Sequence, residues 1–157
     1  MAWCISFEIY GEEFHPSRVS FQFTKQHDPG IIGTVGRYRG KPVPYGSASY
    51  EVPSSVPNAD RIRYLVETFE PLLGDIRAAG ATEWHIDICR YYNAQCGEAY
   101  SLEDLLLISR LQCGFWYSAY SVSKKEEKKL QRELGGFSHE VSIAQRGTAE
   151  QYSWAPD

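Results

Sequence analysis

The chain has 157 residues, of which 43% are hydrophobic and 23% charged, the composition of one folded domain with a modest tail. A chain this long buries roughly 70% of its unfolded surface and needs neither metal nor disulfide to hold together. Sixteen basic residues against twenty acidic ones leave a net charge of −4, which argues against a general nucleic-acid binder, DNA included.

Residues 3–10 alternate, with Ile5, Phe7 and Ile9 on one side and Cys4, Ser6 and Glu8 on the other, the pattern of a half-buried strand. Gly11 ends it. The stretch from Phe14 to Phe23 fits either a helix starting near Ser17 or an extended segment, because Val19, Phe21 and Phe23 also alternate. Residues 28–46 hold five glycines and three prolines and read as a long loop or loose hairpin. Tyr45 to Val52 supplies a second strand with Ala48, Tyr50 and Val52 on one face.

Asn58 is expected to cap a long helix, along which Ile62, Leu65, Val66, Phe69, Leu73 and Ile76 form one apolar stripe. Pro71 lies within it and should kink it; Gly80 closes it. Thr82 to Arg90 is a further strand with Trp84, Ile86 and Ile88 inward. Ser101 and Asp104 form a capping box for a helix that runs to Cys113-Gly114. The aromatic strand Phe115 to Val122 follows, and Ser123 caps a charged helix, Lys124 to Leu134. These elements give an α+β fold: a two-layer sandwich with a mixed or antiparallel sheet of four or five strands and two amphipathic helices on one face. Residues 1–122 form the domain; 123–157 form a charged helix and a loosely docked tail.

Motifs of catalysis are missing from the chain. It has no Gly-x-Ser-x-Gly, no His-Glu-x-x-His and no calcium loop, so no catalytic residue, metal or cofactor is expected. The glycine-rich stretch from Gly30 lacks a phosphate loop's Gly-Lys-Ser/Thr, since Lys41 precedes Pro42. His85, Asp87 and Cys89 share one strand face, but neighbours two apart on a strand are spaced ~7 Å, too far for short side chains to bond. Cys4, Cys89, Cys96 and Cys113 include no pair with a two-residue gap, so ordinary reduced thiols are expected. No apolar run approaches the ~18 residues of a membrane span, and Met1-Ala2-Trp3-Cys4-Ile5 lacks the order of a secretion signal. The expected location is the cytoplasm, away from membranes.

Two groups of residues suit a binding surface. Arg37, Tyr38, Arg39 and Tyr45, with Lys41, interleave cations and aromatics. Tyr91, Tyr92 and Glu98 lie in the segment 58–122, which carries nine acidic residues against five basic ones, and aromatic anchors beside charge suit protein recognition. The strand Phe115 to Tyr120 is aromatic on both faces, so it is either central and covered twice or an edge that pairs with another chain. With two helices suited to one face, the other is expected to be covered partly by the C-terminal segment and partly by a partner, a homodimer among the candidates.

Phe7-Glu-Ile-Tyr-Gly11-Glu-Glu-Phe14-His-Pro16, then Ser101-Leu-Glu-Asp-Leu-Leu and the strand Phe115 to Val122, resemble a family of small bacterial proteins of unknown function. The resemblance covers about residues 3–122, and the loop from Asp28 to Tyr45 departs from the family core. Such families are often encoded beside polymorphic toxins, where small acidic α+β proteins act as immunity partners. The resemblance implies a non-catalytic protein that neutralises a toxin by binding it. A small-ligand-binding protein or small enzyme with a cleft near the glycine-rich loop is the alternative, in which Arg37, Arg39 and Lys41 hold an anion and His85 with Asp87 moves protons.

Overall fold

A computed structural model of the chain describes residues 2–134. Strand β1, Ala2–Gly11, is the middle of a five-stranded sheet. Its odd-numbered side chains Ile5, Phe7 and Ile9 are fully buried, as the period of two demands. The remaining strands are β2 (Lys25–His27), β3 (Gly46–Glu51), β4 (Glu83–Tyr92) and β5 (Phe115–Ser121), in the spatial order β2-β3-β1-β4-β5. β1 runs antiparallel to β3 and β4, whereas β5 lies parallel to β4. A parallel neighbour requires a crossover, and α3 (Leu102–Arg110) provides it. The result is a mixed-sheet α+β sandwich.

The helical layer is made by α1 (Arg61–Phe69), α2 (Leu73–Ala78) and α3. Their buried residues Leu65, Val66, Phe69, Ile76 and Ile108, with Leu111 just after α3, meet Ile5, Phe7, Ile9, Ile86 and Ile88 of the sheet in one core. Phe69 is its centre, with ring centroids 4.5 Å from Phe7, 5.1 Å from Phe21 and 5.3 Å from Tyr50.

The apolar stripe after Asn58 is present, but as two helices. Pro71 sits in a 3-10 turn, Glu70–Leu72, that separates α1 from α2, because its ring displaces the helical carbonyl behind it. Asn58 does not cap: it opens a 3-10 turn, Asn58–Asp60, and Asp60 precedes the helix proper. The capping box at Ser101 and Asp104 is formed, with reciprocal bonds of 3.1 and 3.0 Å. α3 nevertheless stops at Arg110, and Gln112 takes a left-handed φ of 52°. The ambiguous segment after Phe14 resolves into a short 3-10 turn, Pro16–Arg18, and extended chain. β2 was not visible in the sequence.

The turn after β1 is tightly enclosed. Phe14 N–H donates to the Gly11 carbonyl at 3.2 Å and His15 N–H to the Ala79 carbonyl at 2.8 Å. A Cβ at Gly46 would lie 1.7 Å from the Phe14 carbonyl oxygen. At Gly80, whose φ is +97°, a Cβ would lie 2.1 Å from the Glu13 oxygen, so both positions require glycine.

Helix α4, Lys124–Glu133, starts from its own capping box at Ser123 and Glu126. It crosses the end of the sheet where β4 finishes: Val122 N–H donates to the Tyr92 carbonyl at 2.9 Å. Its last turn reaches Arg61, a guanidinium only 1% exposed that donates to the carbonyls of Leu134 (2.9 Å) and Val56 (3.1 Å). The expected tail lies outside the described residues.

Candidate functional site

Alternation along the strands puts a polar set on the sheet face that α1, α2 and α3 leave uncovered. Register then arranges it in rows: Ser49, Glu8 and His85; Glu51, Ser6, Asp87 and Trp116; Cys4, Cys89 and Ser118; Tyr91 and Tyr120. Glu8 Oε1 accepts hydrogen bonds from Ser6 Oγ at 2.7 Å and Ser49 Oγ at 2.8 Å. A carboxylate held by two hydroxyls on neighbouring strands is a fixed negative charge rather than a mobile one.

Rings cross this face in sequence. Tyr38 and His27 lie 6.0 and 5.7 Å from Tyr45, and Tyr45 is 6.5 Å from Tyr10. Tyr10 stacks on His85 at 6.0 Å, and His85 stacks on Trp116 at 5.0 Å with only 24° between planes. Trp116 is 67% exposed at the far end. The row thus runs from the irregular loop to the sheet edge over four strands' width. A second stack, Tyr91 on Tyr120, lies beside it at 5.6 Å.

The strands present Glu8, Glu51, Glu83 and Asp87 against Lys25 on this face, and Arg37 stands at its loop end over the Tyr38 ring. Burial, and then Glu8, hold the Tyr10 hydroxyl above its usual range. Burial and Glu51 do the same for the Cys4 thiol. The Cys89 thiol is pushed up to about 12 by burial, by Cys4 opposite and by Asp87. These are the directions that desolvation and like charge impose on an acid. Neither thiol is ionised near neutrality, so neither is an activated nucleophile.

The sequence-predicted residues divide. Tyr38 and Tyr45 belong to the aromatic row, and Arg37 sits over the Tyr38 ring at 5.5 Å; Arg39 is exposed in the same loop. Tyr91 is on the polar face, but Tyr92, one residue on, turns to the other. There, with Glu98, it lines an open cleft of about 530 Å³ together with Cys96, Tyr100 and Tyr117. Glu98 is not a free anchor: its Oε1 accepts from Arg90 Nη2 at 2.6 Å, with both side chains under 20% exposed. The Tyr100 hydroxyl is buried there without a hydrogen-bond partner among the described residues. Burial and Glu98 push it up to about 12. This cleft lies between residues 93–100 and β5, not at the glycine-rich loop.

Side chains two apart on a strand do bond here: Ser6 reaches Glu8, and Cys89 Sγ lies 3.8 Å from Asp87 Oδ1, because strand side chains lean along the strand axis. The pair expected to move protons is not joined, however. His85 is held between two rings, and no hydrogen bond links it to Asp87 among the described residues. Nor do three His, Cys, Asp or Glu side chains among the described residues converge as a metal site would require. Tyr10 and Trp116 were missed as site residues, although their even numbering places Tyr10 with Glu8 and Ser6. The chain matches no protein-family model, no curated protein and no solved structure.

Proposed function

We propose that this is a non-catalytic protein-binding module whose polar sheet face receives a basic surface of another protein, in the manner of an immunity protein that neutralises a toxin. The observation that carries the reading is the row Tyr38, Tyr45, Tyr10, His85 and Trp116 flanked by carboxylates. Stacked rings are already ordered, so a partner burying them loses little side-chain entropy, and Trp and Tyr are prominent among the few residues that dominate the energy of protein interfaces. Fixed carboxylates beside them add steering and select a basic partner.

The test co-expresses the chain with the product of its neighbouring gene in the native host. The expected result is a salt-sensitive complex and relief of any toxicity, both lost in Trp116→Ala and weakened in Glu8→Gln. Absence of a complex, beside neighbouring genes for metabolic enzymes, would count against the reading. So would a complex indifferent to Trp116 and Glu8.

A further inference from the structure

β5 is an outermost strand, bonded to β4 on one side, and no described residue pairs with its other side. Natural edge strands carry lysine, proline, bulges or inward charges that stop another chain from adding to them. Phe115-Trp-Tyr-Ser-Ala-Tyr-Ser121 has no charge and no proline. Trp116, Tyr117 and Tyr120 on it are 67, 38 and 50% exposed.

The phase of the free edge is fixed by the bonded one. Ile86 N–H donates to the Gly114 carbonyl, and Val122 N–H to the Tyr92 carbonyl. In a parallel ladder this turns the backbone of the even-numbered residues toward β4. Phe115, Tyr117, Ala119 and Ser121 therefore direct their N–H and C=O groups outward. We propose that a second copy of this chain occupies that edge, its β5 antiparallel to this one about a two-fold axis through Ser118.

Only this register pairs the whole strand. Each free N–H then faces a free carbonyl of the other copy, in pairs of Tyr117 with Ala119 and Phe115 with Ser121. A shift of one residue would oppose free groups to bonded ones, and a shift of two would leave residues at both ends unpaired. The side chains agree with it. On the helical face a large ring opposes a small residue, Tyr117 with Ala119. On the polar face Trp116 opposes Tyr120 in a non-hydrogen-bonded pair, where side chains approach most closely.

The axis stands normal to the sheet, so both helical layers fall on one side of a continuous ten-stranded sheet. Leu102, Leu105 and Leu106 of α3 are 73, 43 and 59% exposed. Glu103 and Arg110 engage Arg63 and Glu70 on the α1 side. At 100° per residue Leu105 therefore lies on the opposite flank, toward the second copy. Leu105 on the helical side and Trp116 and Tyr120 on the polar side thus border the seam. The dimer also sets Trp116, the end of one copy's aromatic row, against Tyr120 of the other copy, which stacks on its own Tyr91.

Two measurements test this. Light scattering of the full chain at 100 μM should report twice the 17.9 kDa chain mass, and Ala119→Lys should return it to a monomer with unchanged circular dichroism. Mild oxidation should then link Ser118→Cys to its own copy, because directly opposed Cα atoms at ~4.5 Å suit a disulfide. Ala119→Cys, which faces Tyr117 instead, should give about tenfold less covalent dimer, as should the wild type with its native thiols. A monomer at that concentration overturns the proposal. So does a dimer in which Ser118→Cys links no better than Ala119→Cys, which would place the contact or its register elsewhere.

Discussion

The two faces of the sheet are built from the same strands, one residue out of step, and do opposite things. On the helical face, Ile5, Phe7, Ile9, Ile86 and Ile88 are sealed from water and hold the molecule together by burial. On the other, Ser6, Glu8, Tyr10, His85 and Asp87 are only half-buried, and their bonds stay among neighbouring polar side chains of the same face. Alternation alone separates a face that makes stability from one free to make contacts. Substitutions on the two faces should therefore separate folding from binding.

The largest expected loss follows Phe69→Ala, which empties the centre of the aromatic cluster. It should cost about 4 kcal/mol by urea denaturation, from lost transfer energy plus a cavity. Next is Arg61→Ala at the sheet's end. Removing a buried guanidinium leaves the Leu134 and Val56 carbonyls short of their donor, an expected loss of about 3 kcal/mol, with α4 freed to exchange its amide protons faster. Ser101→Ala, which opens the α3 capping box, should cost about 1 kcal/mol. Trp116→Ala, on the polar face, should shift the stability of the single chain, read at a dilution where no dimer forms, by no more than about 0.5 kcal/mol while removing partner binding. A loss above 2 kcal/mol there would mean that the polar face is structural after all.

Titration sharpens the same contrast. The Cys89 thiol, pushed up to about 12 in the folded chain, stays protonated where an unfolded thiol ionises. Its contribution to stability is full below about pH 8.5, the unfolded value, and is lost as pH rises toward 12. Below that window stability does not vary with pH on its account. Cys89→Ala should flatten part of the alkaline loss, and iodoacetamide at pH 8 should modify Cys89 far more slowly in the folded protein than in urea.

What could be read directly was local. The capping box at Ser101 and the cap at Ser123 were legible because each is written within four residues. Trp84, Ile86 and Ile88 declared the inner face of β4 through a period of two. The break at Pro71 was legible as a kink, since proline cannot continue a helix without disturbing it. β2 escaped because three residues, Lys25–His27, carry no pattern, and only pairing with β3 makes them a strand. The aromatic run from Phe115 left two places open, central or edge, and no local rule chooses between them.

The candidate site shows the same division. Tyr91 and Tyr92 are neighbours in sequence and stand on opposite faces of the sheet, since successive side chains of a strand diverge. Tyr10, His85 and Trp116 are far apart in the chain and become stacked neighbours through the register of β1 with β4 and the parallel addition of β5. Sequence by itself determined the fold class, the inward residues of the main strands and the caps at Ser101 and Ser123, though not the start of α1, because propensity, period and capping act within one element. Tertiary structure alone decided the strand order, the edge position of β5 and the meeting of the rings. Those depend on which strands pair and in what register, and strand pairing is a contact between residues distant along the chain.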